Sequence, residues 1–309
     1  MNGDGRGSQT TMQIAILANP GSWYGQDISR AARSRGHRVA VVPFAHLTAF
    51  VQQARSSVWE SGLELSQLDA VIVRTMPPGS LEQVVFRMNL LSQLETRGVV
   101  VFNPARAIEC AVDKYLTTAR LVAAGLNVPD TFVCENAEAA LQAFETLGRD
   151  VVVKPIFGSE GRGILRVSDP DLAVRTFRTL ERIQSVLYLQ RFVPHAGFDV
   201  RVMVLDGRVL GGICRRNADD FRTNVSRQAT AEAVTLTDEQ QDWAIRATAA
   251  VGARQAGVDL LYDQDGRGFV IEVNGVPGWQ AFQRVTGIDV ATEVIRSLES
   301  DTSPATELS

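Results

Sequence analysis

Lysine is nearly absent from this chain of 309 residues: of 31 basic residues only Lys114 and Lys154 are lysine, and the other 29 are arginine. Where arginine fills every ordinary cation position, a retained lysine marks a place that needs a compact ammonium rather than a planar fork. Histidine is also scarce. His37, His46 and His195 form no cluster, which argues against a His-based metal site or catalytic triad. Cys110, Cys134 and Cys214 are odd in number and have no paired zinc spacing, so they read as reduced thiols of a cytoplasmic protein. No apolar run approaches the ~20 residues of a membrane span, and Met1 to Thr11 is polar and glycine-rich without the apolar core of a signal peptide. A net charge of -4 gives no general attraction to nucleic acid or to an anionic membrane, so neither is expected as a partner.

What is present is enough apolar material, 45% of the residues, for a large core divided into two or three lobes. The first lobe alternates strand and helix: strand Gln13 to Ala18, helix Gln26 to Arg35, strand Arg38 to Pro43, helix Ala45 to Ser57, strand Asp69 to Val73, helix Ser80 to Arg97, strand Val99 to Phe102. That order predicts a parallel α/β sheet over residues 12–104. Beyond Asn103-Pro104 the pattern becomes mixed α+β. A helix Asp113 to Ala124 ends at Gly125, and strands near 131–134, 151–154, 164–167 and 186–190 alternate with helices at 137–147 and after Asp169-Pro170. These form a central lobe, 105–193. A last lobe, 194–299, opens with the hairpin Phe198 to Leu205 and Arg208 to Cys214, reversed at Asp206-Gly207. Residues 1–11 and 300–309 are polar and read as disordered.

Three groups of residues carry chemistry. Lys154 closes the apolar run Val151-Val152-Val153 and is followed by the loop Gly158-Ser159-Glu160-Gly161-Arg162-Gly163. A charged amine at the end of a buried strand needs an anionic partner, and beside a flexible glycine loop that anion is a phosphate. The loop is neither a Walker loop nor a Rossmann turn, because no Gly-Lys-Ser/Thr follows and it joins strand to strand. The second group lies in a hairpin turned by Asp263 to Gly268. If Tyr262 pairs with Phe269, Asp259 falls opposite Glu272, and period two places Asn274 on the same face. Hard oxygen donors without His or Cys suit magnesium, although a solvated sheet face would show the same residues. The third group is arginine: Arg201 beside Asp199, then Arg215-Arg216 and Phe221-Arg222-Thr223-Asn224. Such residues either form a salt-bridged surface or clamp phosphate and carboxylate bidentately.

Together these motifs resemble the ATP-grasp superfamily, and within it the RimK-type carboxylate–amine ligases, from about Met12 to Leu298. Met76-Pro77-Pro78-Gly79-Ser80, Gln190 to His195 and Gly275 to Gln280 look most like the tetrahydromethanopterin:glutamate ligase branch. The resemblance implies an ATP-grasp fold, with an N-terminal parallel α/β domain and two mixed lobes clasping ATP. It implies that Lys114 and Lys154 hold ATP phosphates and that Gly158, Ser159, Gly161 and Gly163 belong to a loop closing over them. It further implies that Gln190, Arg191, Phe192 and Val193 form the hinge at the adenine, with Asp199 near the nucleotide. Arg222 and Asn224 would touch phosphates or metal, Asp259, Glu272 and Asn274 would bind Mg2+ (Mn2+ as a substitute), and Arg201 and Arg215 would steady the transferring phosphoryl group. Arg191 stands where many relatives have an acidic residue, and Ser226-Arg227-Gln228-Ala229 replaces a glycine-rich continuation.

The implied reaction activates an acceptor carboxylate as an acyl phosphate, which the amino group of an amino acid, glutamate by resemblance, then attacks. The acceptor is a tetrahydromethanopterin-type pterin or, alternatively, a protein C-terminus, a small peptide or an amino acid. A phosphotransferase without amine acceptor is the other reading, and the motifs leave homo-oligomerisation open. Replacing Lys154 by arginine is expected to abolish most activity although charge is kept, because a fork does not substitute for a point ammonium; steady-state turnover of K154R at wild-type level would refute this.

Overall fold

The computed structural model describes residues 10–53, 55–158, 162–217 and 230–302. They form an α/β and α+β protein in two compact units, one comprising the chain up to Arg106 together with Asp289 onward, the other Ala107–Ile288. No helix among the described residues is long and apolar enough to cross a membrane.

In the first unit, strands Gln13–Leu17, Arg38–Val42, Ala70–Val73 and Val100–Phe102 make a parallel sheet in the order second, first, third, fourth. Ile14 to Ala18 and Ala70 to Val73 are buried throughout, the continuous apolar run of a strand covered on both faces. Helix Trp23–Ser34 is capped by the Ser22 hydroxyl, and helix Leu81–Thr96 by a reciprocal box between Ser80 and Gln83. Two sequence expectations fail here. The segment 45–57, expected to be helical, is a 3-10 turn Phe44–His46 followed by an antiparallel sheet of Thr48–Gln52, Arg55–Glu60 and Leu63–Glu64. Its β-branched and aromatic residues (Thr48, Phe50, Val51, Val58, Trp59) prevail over the helix-forming alanines and glutamines between them. The helix Val290–Thr302 runs past residue 299 and joins the first unit rather than the last lobe. There Glu299 accepts the fork of Arg35 at 2.7 and 2.6 Å, and Asp289 accepts from Arg30 at 2.8 Å.

The second unit contains two antiparallel sheets, each with one apolar and one polar face. The smaller has the order Leu165–Val167, Val151–Lys154, Leu187–Arg191, Thr131–Cys134. Its apolar face (Val151, Val153, Leu187, Leu189) packs on Phe144 and Phe177 of helices Ala137–Thr146 and Pro170–Arg182. The larger has the order Thr230–Val234, Arg208–Arg216, Phe198–Leu205, Gln255–Tyr262, Gly268–Asn274. Asp206 and Gly207, both at positive φ (46° and 73°), turn its first hairpin as the Asp-Gly pair predicts. Val200, Val202, Val204, Val258, Leu260, Val270 and Val273 form its apolar face, under helices Lys114–Ala123 and Asp238–Val251. The latter helix has no counterpart in the sequence reading.

The register of the last hairpin corrects one expectation and explains why another holds. Tyr262 pairs with Gly268, not with Phe269, yet Asp259 does pair with Glu272, because one extra residue, Ile271, bulges out between the two. The bulge allows Val270 and Val273, three apart, both to face the core, and turns Glu272 and Asn274 to the opposite face beside Asp259. Leu260, fully buried beneath that row, tests how far the apolar face supports it. Truncation to alanine is expected to cost about 2–5 kcal/mol, read as a lower urea midpoint with an unchanged slope.

Candidate active site

The polar face of the larger sheet is an ion-pair network built by register. Arg201 stands directly opposite Asp259, which stands directly opposite Glu272, while Asp199 stands opposite Arg215 two residues along. The Arg201 fork donates to both oxygens of Asp259 at 2.7 Å each. Arg215 donates from Nε to Asp199 at 2.7 Å and from Nη2 to the other Asp199 oxygen, and its Nη2 also lies 3.0 Å from Asp259. Asp199, Arg215 and Asp259 are almost completely buried, at 1%, 2% and 3% exposure, so each charge relies on its partners rather than on water. Burial alone would raise the Asp259 carboxyl, but Arg201 and Arg215 outweigh it and hold it below the ordinary value. Burial would likewise lower Arg215, and Asp259 and Asp199 reverse that. Gly257 permits this packing: a Cβ there would sit 3.1 Å from Pro277 and 3.5 Å from the Arg201 stem.

Lysine enters from the smaller sheet. Lys154 pairs in register with Tyr188, and the Lys154 ammonium donates to Gln190 Oε1 at 2.7 Å. The orientation of Gln190 is fixed because its Nε2 donates to Thr131 Oγ1 at 3.1 Å and to the Tyr188 hydroxyl at 3.3 Å, and that hydroxyl meets Thr118 Oγ1 at 2.8 Å. Sequence reasoning missed Tyr188, Thr131 and Thr118; the available signal was period two on the strand of Gln190. Removal from water lowers the Lys154 ammonium to about 8, opposed by the attraction of Glu272 and Asp259 and reinforced by repulsion from Lys114. Desolvation also lowers Lys114, with Glu272 and then Asp113 opposing. Both lysines of the chain therefore lie in the field of the same carboxylate, Glu272.

Lys114 also ties down the loop that follows Lys154: its backbone N–H donates to Ile156 O at 3.2 Å and its ammonium to Gly158 O at 2.9 Å. Gly163, at φ 74°, brings the chain back so close to Pro155 that a Cβ would lie 2.8 Å from its ring. Ser159 and Gly161 of this loop, and Arg222 and Asn224, lie outside the described residues. In the segment 190–193, Arg191 N–H donates to Asp130 O at 2.8 Å and Phe192 N–H to Asp150 O at 2.9 Å, which leaves carbonyls and side chains as what these two can offer a base. The Arg191 side chain pairs with Asp130 at 3.2 Å, the Phe192 ring lies 3.5 Å from the Arg166 guanidinium, and Val193 is buried against Leu261 and Phe269.

The donor set fits a magnesium ion. Among the described residues no three of His, Cys, Asp and Glu gather into a metal cluster; the oxygen groups of this row are the Glu272 carboxylate, the Asn274 amide and Asp259, whose two oxygens are engaged by Arg201 and Arg215. Asn274 donates Nδ2–H to Gly257 O at 3.3 Å, which leaves its amide oxygen as the atom available to a cation. Few protein oxygens, with the remainder supplied by phosphate and water, is how magnesium rather than calcium is usually held.

Residues 111–298 match the RimK-like ATP-grasp domain and residues 12–108 the RimK pre-ATP-grasp domain. The chain belongs to the RimK-like ATP-grasp family. It is 32% identical, over 92% of its length and 97% of the relative's, to the tetrahydromethanopterin:alpha-L-glutamate ligase of Methanosarcina acetivorans. It is 30% identical, over 95% and 97%, to a ribosomal protein bS6–L-glutamate ligase of Salmonella newport. The fold is shared with the ATP-grasp ligase PsnB complexed with a minimal precursor, Mg and ADP (TM-score 0.73, 23% identity, 94% of this chain and 97% of that one). It is shared also with the D-cycloserine synthetase DcsG (TM-score 0.73, 20% identity, 94% and 100%). This RimK-like protein is thus an ATP-grasp ligase that forms an amide bond, in a family that uses ATP and Mg2+.

The lowered Lys154 ammonium has a signed consequence for stability. Below pH 8 the folded protein carries a desolvated charge that the unfolded chain keeps hydrated; between about 8 and the ordinary 10.5 the folded form releases the proton first, so this residue's contribution rises with pH. Relative to K154M, wild-type stability in urea titrations is expected to increase across that window by on the order of 1–3 kcal/mol. A pH-independent difference would refute the assignment.

Proposed function

We propose that this RimK-like ligase joins the amino group of L-glutamate to the carboxylate of a small-molecule acceptor of the pterin-cofactor type, through an acyl phosphate. One observation carries the reading of the site: the only two lysines of the chain come under the influence of Glu272, which pairs with Asp259. Two ammonium groups in the field of one carboxylate, itself paired across strands with a second, is the arrangement that a polyanion bridged by divalent cations completes. The choice of glutamate, and of the pterin acceptor over a protein C-terminus, rests on likeness to the Methanosarcina acetivorans ligase, 32% identical against 30% for the bS6 ligase.

In this reading Lys114 and Lys154 hold the phosphates of ATP, with Gln190 keeping the Lys154 ammonium aimed. Asp259, Glu272 and Asn274 hold Mg2+, which when bound supplies neutralisation of phosphate oxygens; Mn2+ serves in its place. The glycine loop, held at Gly158 by the Lys114 ammonium, has the role of shielding the acyl phosphate from water. The γ-phosphoryl group passes to the acceptor carboxylate, Arg201 and Arg215 stabilise the charge that develops, and the glutamate amine displaces phosphate. No side-chain nucleophile is needed. Arg222 and Asn224 complete the phosphate contacts. The segment 190–193 borders the base, and Asp199 acts through Arg215.

Purified protein incubated with Mg-ATP and candidate acceptors, with and without glutamate, is expected to release ADP and free phosphate and to form a product heavier by one glutamyl unit only when the amine is present. E272Q is expected to reduce turnover at least ~10-fold and to shift the magnesium titration to higher concentration. A stable phosphorylated acceptor would indicate a kinase instead, and an unchanged metal titration would remove Glu272 from the metal site.

A further inference from the structure

Asp259 is claimed twice. Both its oxygens receive the Arg201 fork at 2.7 Å, and one also meets Arg215 at 3.0 Å. A magnesium ion bonds a carboxylate oxygen at about 2.0–2.1 Å, so a fork covering both oxygens and a metal at one of them compete for the same lone pairs. They would also place two positive charges in near contact. One cation has to yield.

The two arginines differ in how readily each can leave. Arg215 is sealed, its side chain 3% exposed and its fork committed to Asp199. Arg201 is 15% exposed at its side chain, and among the described residues its ion-pair partner is Asp259. Its stem passes over Gly257, close enough that a Cβ there would touch it at 3.5 Å. The carboxylate itself loses little by the trade, since it exchanges a guanidinium for a share of a divalent charge. The released guanidinium, by contrast, needs an anion at its new position.

We propose that Arg201 is an exchangeable cation: a divalent ion entering with the nucleotide takes Asp259 and frees the Arg201 fork for the phosphoryl group that passes from the nucleotide to the acceptor carboxylate. This rests on the ligase reading above and adds an order to it. The metal–nucleotide complex binds first and creates the bidentate anion clamp, and the acceptor side of the site gains affinity only afterwards. By linkage, occupancy of that clamp by an anion tightens the metal to the same degree.

The test uses the full chain saturated with ADP, inorganic phosphate as the probe for the phosphoryl position, and Mn2+ followed by electron paramagnetic resonance as the metal probe. In the wild type, Mg2+ is expected to strengthen phosphate binding at least ~5-fold by calorimetry, and phosphate to strengthen Mn2+ binding by the same factor. In R201K, which keeps the charge but cannot cover both Asp259 oxygens, Mn2+ is expected to bind ~5-fold more tightly than to wild type in the absence of phosphate, with the coupling reduced to within about twofold. Phosphate binding indifferent to Mg2+ in the wild type, or R201K with wild-type Mn2+ affinity and undiminished coupling, would overturn the exchange while leaving the ligase reading in place. Failure of either protein to bind ADP at all would overturn both. Should R201K fold poorly, 15N spectra of the wild type decide instead: an arginine Nε–H protected from solvent exchange is expected to lose protection on addition of Mg-ADP but not of ADP alone, and retained protection refutes the proposal.

Discussion

A carboxylate taken out of water stays ionised only when other cations replace the hydrogen bonds that water gave it, and Asp259 is the residue on which that constraint falls most heavily. Its neighbours Arg201, Arg215 and Glu272 sit on three different strands, and each is placed by register rather than by sequence proximity. The buried pair Arg215–Asp199 braces one side of the network, and on the other the Arg201 stem packs over Gly257. Breaking such a network by removing one partner is costly because it strands a charge, whereas exchanging one cation for another is cheap.

The network exists because the two sheets of the second unit divide their faces cleanly. Period two sends Val200, Val202, Val258 and Leu260 to the helices and Asp199, Arg201 and Asp259 to the other side. The smaller sheet does the same with Val151 and Val153 against Lys154, Tyr188 and Gln190. Lys154 is thereby held at the end of an apolar strand, where desolvation lowers its ammonium and the field of Glu272 sustains it. Lys114 reaches the same region from a helix N-terminus capped by Asp113, and ties the glycine loop to that helix. The chain that spells nearly all its cations as arginine keeps lysine at these two positions.

Much of this was legible along the chain. The Asp-Gly turn at 206–207, the Asp169-Pro170 helix start and the apolar run closed by Lys154 are local signals, and the structure follows them. The pairing of Asp259 with Glu272 was also foreseen, but through a register that fails at Tyr262, since a bulge at Ile271 leaves no trace in composition. The helix expected at 45–57 is a hairpin because helix-forming and strand-forming residues are interleaved there and tertiary pairing arbitrates. The return of 290–302 to the first unit is a long-range contact, which element order cannot express.

The sequence by itself determined the chemical inventory: two lysines, a glycine loop, oxygen ligands without histidine or cysteine, and arginines beside carboxylates, which together name the family and the reaction class. Tertiary structure decided who partners whom. That Arg201 covers Asp259 while Arg215 belongs to Asp199, and that Gln190 aims Lys154 with the help of Tyr188 and Thr131, follows from strand register and burial. The physical reason is that charge interactions in a dry interior are set by ångström-scale distance and by desolvation, and both are properties of the folded chain rather than of residue order.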